Sequence, residues 1–308
     1  MSKQNNHDVN VVLVCVCLGV CVLMPETSDW RISFIRDRPW LGATLNALIH
    51  ICRTYVARPV PVFAVGAIIY YIEHVYVFFF AFGYIDARGS DALIKTLLVV
   101  FHLLIALVVV SYLRAVLTSP EEVVFHLPDD VHTDGNGNPR KSSETYCSLC
   151  RGNRPPRTHH CRLCGRCVQR FDHHCPWIGN CVHQRNHKFF VLFLLYVCVG
   201  CTFVASSIYY VTNHVWAVSN GVKGLMALCT VLSMVLIPFA SYHYYLVFSN
   251  QTTLEHAIAL AECAPNPNSR GCCLNAAVIC GDTRLFWLCP VEPVFPRSQV
   301  YGRGQFEV

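Results

Sequence analysis

Residues 171–181 read FDHHCPWIGNC, which sets Asp172, His173, His174 and Cys175 side by side, with Cys181 six residues further on. A thiol, an imidazole and a carboxylate are the parts of a nucleophile activated by an oriented base. Cysteine and histidine are equally the ligands of zinc. The surrounding spacing brings in both chemistries: Cys147-x2-Cys150-x9-His160-Cys161-x2-Cys164-x2-Cys167-x4-Asp172-His173-His174-Cys175-x5-Cys181. Each Cys-x2-Cys pair puts two thiolates on one tight turn, at the separation a tetrahedral zinc needs.

Counting ligands divides the two chemistries. Seven cysteines with His160, His173 and His174 make ten candidates, whereas two closed four-coordinate zinc sites take eight. Two groups are left over. Neighbours on an extended segment point to opposite sides, so His173 and His174 do not share an ion. A surplus cysteine beside a surplus histidine is a nucleophile with its base, because only the thiolate attacks and an imidazole can take the proton. Asp172, His173 and Cys175 supply carboxylate, imidazole and thiol within four residues. A zinc module that only binds partners has no use for an unligated cysteine at this place.

The elements that position these residues are membrane spans. Apolar residues make up 54% of the chain and charged residues 14%, a balance that points to a membrane protein. Runs 60–85, 93–117, 189–211 and 225–248 each exceed the roughly 20 residues a helix needs to cross a bilayer, and short connectors make two helical hairpins. A shorter apolar run, 9–24, reads as an extra retained membrane segment. Stretch 118–188 carries ten Lys and Arg and 25–59 carries five, against only Arg88 and Lys223 in the two short connectors. The positive-inside rule therefore predicts that the cysteine-rich segment faces the cytosol. A net charge of +5 gives no case for nucleic-acid binding.

The segment from Cys147 to Phe190, with RPPR at 154–157 and CPW at 175–177, resembles the DHHC cysteine-rich domain of the protein S-acyltransferases, the palmitoyltransferases. TTLE at 252–255 resembles that family's TTxE motif, and Asn275 stands at the asparagine of its C-terminal motif. The resemblance implies that Cys147, Cys150, His160 and Cys167 bind one structural zinc, and Cys161, Cys164, His174 and Cys181 the other. It implies Cys175 as nucleophile, His173 as base and Asp172 as the residue orienting it. Acyl-CoA, palmitoyl-CoA above all, is the implied co-substrate, and proteins with acceptor cysteines are the implied partners. The chain departs from the pattern at TSPE, 118–121, where the family has DPG, and at His183, where it has glycine.

The expected architecture is an all-α polytopic membrane protein with four transmembrane helices, and 9–24 as a candidate fifth. Its parts are an N-terminal region (1–59), a hairpin (60–117), the cytosolic zinc domain (118–188), a second hairpin (189–248) and a cytosolic tail (249–308). Arg154, Arg157 and Lys188 are candidates for the CoA phosphates, because cationic donors suit them. The small residues Cys198, Gly200, Cys201, Ala205 and Ser206 predict a slot for the acyl chain, with Gly200 facing it. The tail thiols Cys263, Cys272, Cys273 and Cys280 are expected to be open to acylation themselves.

Overall fold

The computed structural model describes residues 59–125, 146–215 and 217–294, all within one unit, Val56–Val308. Run 9–24 lies outside the described residues. Among the described residues, four helices are long and apolar enough to cross a membrane: α1 Pro59–Arg88, α2 Ala92–Leu117, α3 His187–His214 and α4 Asn220–Ser249. Proline suits the first turn of α1, where its missing N–H goes unused. Around Val75–Ala81 this helix widens into π-type turns. Gly89, at φ +82°, stops it in a conformation glycine adopts without penalty. Two residues later Asp91 caps α2, accepting from the Ile94 N–H at 3.1 Å and from the Tyr84 hydroxyl at 2.6 Å. The turn of the first hairpin is held at both ends.

Packing makes α3 the central helix. Half of its apolar window is buried, against 17–22% for the other three, and it packs mainly on α2 and α4. The outer helices leave Phe63, Leu103, Val110, Val231 and Met234 exposed, as a lipid-facing surface requires. One buried cluster joins Tyr76, Phe80, Phe101, Ile208 and Leu225. A second joins Tyr112, Phe189, Phe190, Leu194, Ala240 and Val247 with Cys175, Ile178 and Val182 of the cysteine-rich segment. The site is thus built onto one end of the helix bundle.

That segment adds a small β component to the helical fold, as three two-stranded antiparallel hairpins: β1 Tyr146–Cys147 with β2 Gly152–Asn153, β3 Thr158–Cys161 with β4 Arg166–Gln169, and β5 His173–Cys175 with β6 Asn180–Val182. The last turn is a single helical turn, Pro176–Ile178, closed by Gly179 at φ +58°. Polar side chains then fasten the segment to α2. A helix leaves its last carbonyls without partners. Asn180 Nδ2 donates to those of Val116 and Thr118 at 3.2 and 2.8 Å, and Asn186 Nδ2 donates to Ala115 at 3.1 Å. The two departures from the family pattern meet here, with His183 Nε2 3.3 Å from the Thr118 carbonyl oxygen. Burial lowers the His183 pKa to about 4, so it docks as a neutral ring.

Beyond α4, Asn250 takes the left-handed conformation at φ +52° and turns the chain into α5, Thr253–Glu262. Thr252 and Glu255 cap α5 reciprocally. Helix α6, Cys272–Cys280, buries Asn275, Ala276 and Ile279. Asn275 Nδ2 donates to the Phe248 carbonyl at 2.8 Å, which ties the tail to the end of α4.

Candidate active site and metal centres

Strand periodicity sorts the ligands. His160 and Cys161 are neighbours on β3 and therefore face opposite ways. His160 joins Cys147, Cys150 and Cys167, while Cys161 joins Cys164, His174 and Cys181. Register completes each set, since His160 pairs with Cys167 and His174 with Cys181 across their hairpins. In each set the four ligand atoms lie within 4.8 Å of one another. His160 Nδ1 is 3.6, 3.3 and 3.9 Å from the sulfurs of Cys147, Cys150 and Cys167. His174 Nδ1 is 3.7, 3.4 and 3.6 Å from those of Cys161, Cys164 and Cys181. A tetrahedron with Zn–S near 2.3 Å and Zn–N near 2.0 Å has S···N edges of about 3.5 Å. Two Cys3His donor sets of this size fit two zinc ions.

The same alternation leaves a second face on β5, outside both metal sets. His174 turns to its metal set, so His173 and Cys175, two residues apart, share the opposite face. His173 Nδ1 is 2.6 Å from Asp172 Oδ2. Asp172 is buried and accepts two further bonds, from Thr253 N–H to Oδ1 and from the Thr253 hydroxyl to Oδ2, each at 2.8 Å. Burial works to raise the Asp172 pKa, but the hydrogen bond to His173 and the nearby imidazoles outweigh it and hold the group below the usual carboxylate range. Burial likewise opposes a charge on His173, yet its bonds to Asp172 and Cys175 push its pKa up to about 10. A carboxylate anion bonded to Nδ1 of an imidazole fixes the ring's orientation and raises its affinity for a proton, which is the arrangement of an oriented base. Cys175 itself is buried, at 5% exposure, among the apolar side chains of α2, α3 and α4.

Residues 140–259 match the model of the DHHC palmitoyltransferase family. The chain is 30% identical to Palmitoyltransferase ZDHHC20-B of Danio rerio over 228 residues, covering 63% of this chain and 71% of that protein. It is 30% identical to Probable protein S-acyltransferase 16 of Arabidopsis thaliana over 265 residues, 78% of this chain and 91% of that one. The chain belongs to the DHHC palmitoyltransferase family. Against Palmitoyltransferase PFA3 of Yarrowia lipolytica, 32% identical over 183 residues, the match spans 46% of the relative.

In this DHHC protein two of the three cations expected at CoA phosphates have other work. The Arg157 guanidinium grips both oxygens of Glu255, Nε to Oε1 at 2.6 Å and NH2 to Oε2 at 2.7 Å, and also donates to Asn250. A planar fork matches a carboxylate in two places at once. Arg170, buried, reaches the same Asn250 side chain at 3.4 Å and lies 3.0 Å from His187 Nδ1. Together these contacts bolt the zinc domain to α3, α4 and α5. Lys188 is fully buried, and its ammonium donates to the carbonyls of Phe286 and Val291 at 2.9 and 3.0 Å. It pins the tail. Burial lowers the His159 pKa, and the charge of Arg154 nearby lowers it further.

The structure has a groove on a different face of α3 from the one expected at Gly200. A groove of about 620 Å³ runs between α3 and α4, lined by Cys198, Thr202 and Ser206 on one side and Ala240, Ser241 and Tyr244 on the other. Gly200 is not among its lining residues, and a side chain built there meets open space. At about 100° per residue, 198, 202 and 206 form one stripe, and Gly200 falls well off it. Cys201 packs instead in the other core cluster, beside Cys229. In the tail, Cys263, Cys272 and Cys273 are exposed and Cys280 is half-buried. Thr253 is the site residue that sequence reasoning passed over. Its signal was present in the TTLE resemblance, but nothing along the chain names Asp172 as its partner.

Proposed function

We propose that this protein, a protein S-palmitoyltransferase by family, moves a long-chain acyl group from acyl-CoA to cysteine thiols of substrate proteins through a thioester on Cys175. One observation carries the reading. Of the seven cysteines between 147 and 181, six belong to the two metal sets, and Cys175 is the one outside both, on the face of β5 that holds His173.

The steps follow from that placement. His173 takes the proton of the Cys175 thiol, and Asp172, held by Thr253, keeps the ring oriented and balances its charge. The thiolate attacks the acyl-CoA carbonyl carbon; the bond to the CoA sulfur breaks, and that sulfur leaves with the proton from His173. In the second half an acceptor thiol gives its proton to His173 and takes the acyl group, and Cys175 recovers a proton. Exchange between two thiols is close to thermoneutral, so orientation and a dry site supply the acceleration. Bound zinc would brace the hairpins that carry β5, contributing folding energy and no reacting group. The α3–α4 groove suits the acyl tail, being apolar and within the ~300–1,000 Å³ range of ligand pockets. Three of its lining residues, Cys198, Ala240 and Tyr244, pack in the cluster that contains Cys175. The lysine and arginine balance supports a site on the cytosolic side of the membrane.

Incubation of purified protein with labelled palmitoyl-CoA tests the reading. Label should be released by hydroxylamine and map to Cys175, and Cys175→Ser should carry none while keeping two zinc ions per chain. Loss of zinc from that variant would make Cys175 a ligand and end the proposal.

A further inference from the structure

The imidazole of His243 stands beside the reacting groups and has no part in the steps above. On α4, Ala240, His243 and Val247 are three and four residues apart and so share one helix face. Ala240 and Val247 pack in the cluster that holds Cys175. His243, between them, is 2% exposed. Its ring centre is 5.7 Å from that of His173, 5.0 Å from Phe190 and 4.6 Å from Phe239. The Phe190 and Phe239 contacts are edge-on, an arrangement that a phenyl ring would satisfy equally well. Yet Nδ1 of His243 is buried with no hydrogen-bond partner. A buried polar atom left unpaired is costly and rare, and packing does not account for it. Arg170 and His187 also bury an unpaired nitrogen, but those two side chains contact each other and serve the docking network. The His243 nitrogen serves no such contact.

Resting on the reading of Cys175 as nucleophile, we propose that His243 is a further catalytic residue, whose Nδ1–H donates a hydrogen bond to the thioester oxygen as negative charge develops on it. When the Cys175 thiolate forms its bond to the carbonyl carbon, the carbonyl π pair moves onto oxygen. On collapse that pair re-forms the double bond and the carbon–sulfur bond to CoA breaks. His243 transfers no proton at either stage. It stays neutral and stabilises the oxyanion, the role for which a preorganised donor in a water-poor site is most effective. Cys175 and its base have no other need of a polar group at this point of α4. The thioester oxygen of the substrate is an acceptor that arrives only with the reaction.

His243→Phe keeps the aromatic packing and removes the donor, and His243→Gln restores an N–H. In full-length protein loaded with labelled palmitoyl-CoA, His243→Phe should keep two zinc ions and the wild-type KM, and lose ~10²-fold in the rate constant of acyl-enzyme formation. His243→Gln should recover part of that loss. Wild-type kinetics in His243→Phe, or a rise in KM alone, would overturn the proposal. If the phenylalanine variant does not fold, His243→Leu is read in the same way; failure of both apolar variants to fold would assign the nitrogen to the fold and also overturn it. Cys175→Ser, run in parallel, separates the two ideas. Label persisting there removes the acyl-enzyme on Cys175, whereas label lost there with normal His243→Phe kinetics removes only the donor.

Discussion

Asp172→Asn is the sharpest test of how the base is held. The substitution is nearly isosteric, so the cluster around it has no cavity to collapse into. What changes is hydrogen bonding. Oδ1 of Asp172 accepts from the Thr253 N–H, and Oδ2 accepts from both the Thr253 hydroxyl and His173. An asparagine with its oxygen towards the Thr253 N–H turns its NH2 towards His173 Nδ1. The ring must then accept at Nδ1, which leaves Nε2 protonated and useless as a base. With the amide reversed, His173 keeps its tautomer, but two donors face each other at Thr253, a clash worth about 1–3 kcal/mol. Either way the anion that stabilises the imidazolium is gone. Acyl-enzyme formation should fall by ~10²–10⁴-fold, the range that base catalysis supplies. Zinc content should stay at two per chain. Thr253→Val, which removes one of the three bonds and keeps the charge, should cost less than about tenfold in rate. Initial rates of self-acylation with labelled palmitoyl-CoA, measured beside metal content, decide the matter. A loss in Asp172→Asn below about tenfold, or one matched by Thr253→Val, would refute the reasoning, because charge would then be irrelevant to the base.

The two adjacent histidines should separate cleanly: His173→Ala keeps both zinc ions and loses most activity, while His174→Ala loses one zinc and much stability, as read by metal analysis and thermal melting. Burial works to raise the Glu255 pKa, but its bonds and charge interactions with Arg157 outweigh this and lower it. Its contribution to docking α5 is therefore complete above the ordinary glutamate value of about 4.3 and is lost as pH falls through the lower folded value. Glu255→Gln should flatten that acid limb of a melting-temperature profile, and an unchanged limb would place the acid sensitivity elsewhere. Ala240→Leu, which narrows the groove, should shift acyl-CoA preference towards shorter chains in a competition assay; an unchanged preference would mean that the chain lies elsewhere.

Much of this protein was legible in one dimension. Four spans follow from runs of apolar residues, because a lipid-crossing helix satisfies its own backbone and needs only length and hydropathy. The surplus of a cysteine and a histidine over two closed zinc sites could be counted along the chain, whereas the membership of the two metal sets came from the family resemblance; alternation along β3 and β5 accounts for both in the structure. His173 and His174 part company for that reason alone. Partner choice is different. Arg157 finds Glu255 98 residues away, Thr253 finds Asp172 across 81, and Lys188 finds the Phe286 carbonyl across 98. The sequence offered those cations as phosphate ligands because charge type is all that composition reveals; the fold consumed two of them in docking. Gly200 missed the groove, and His243 was brought to the base, through the rotational setting of α3 and α4. A helix's own period tells which residues share a stripe. Which stripe faces the neighbouring helix depends on how the ridges of one pack into the grooves of the other, and that is decided only when the helices meet.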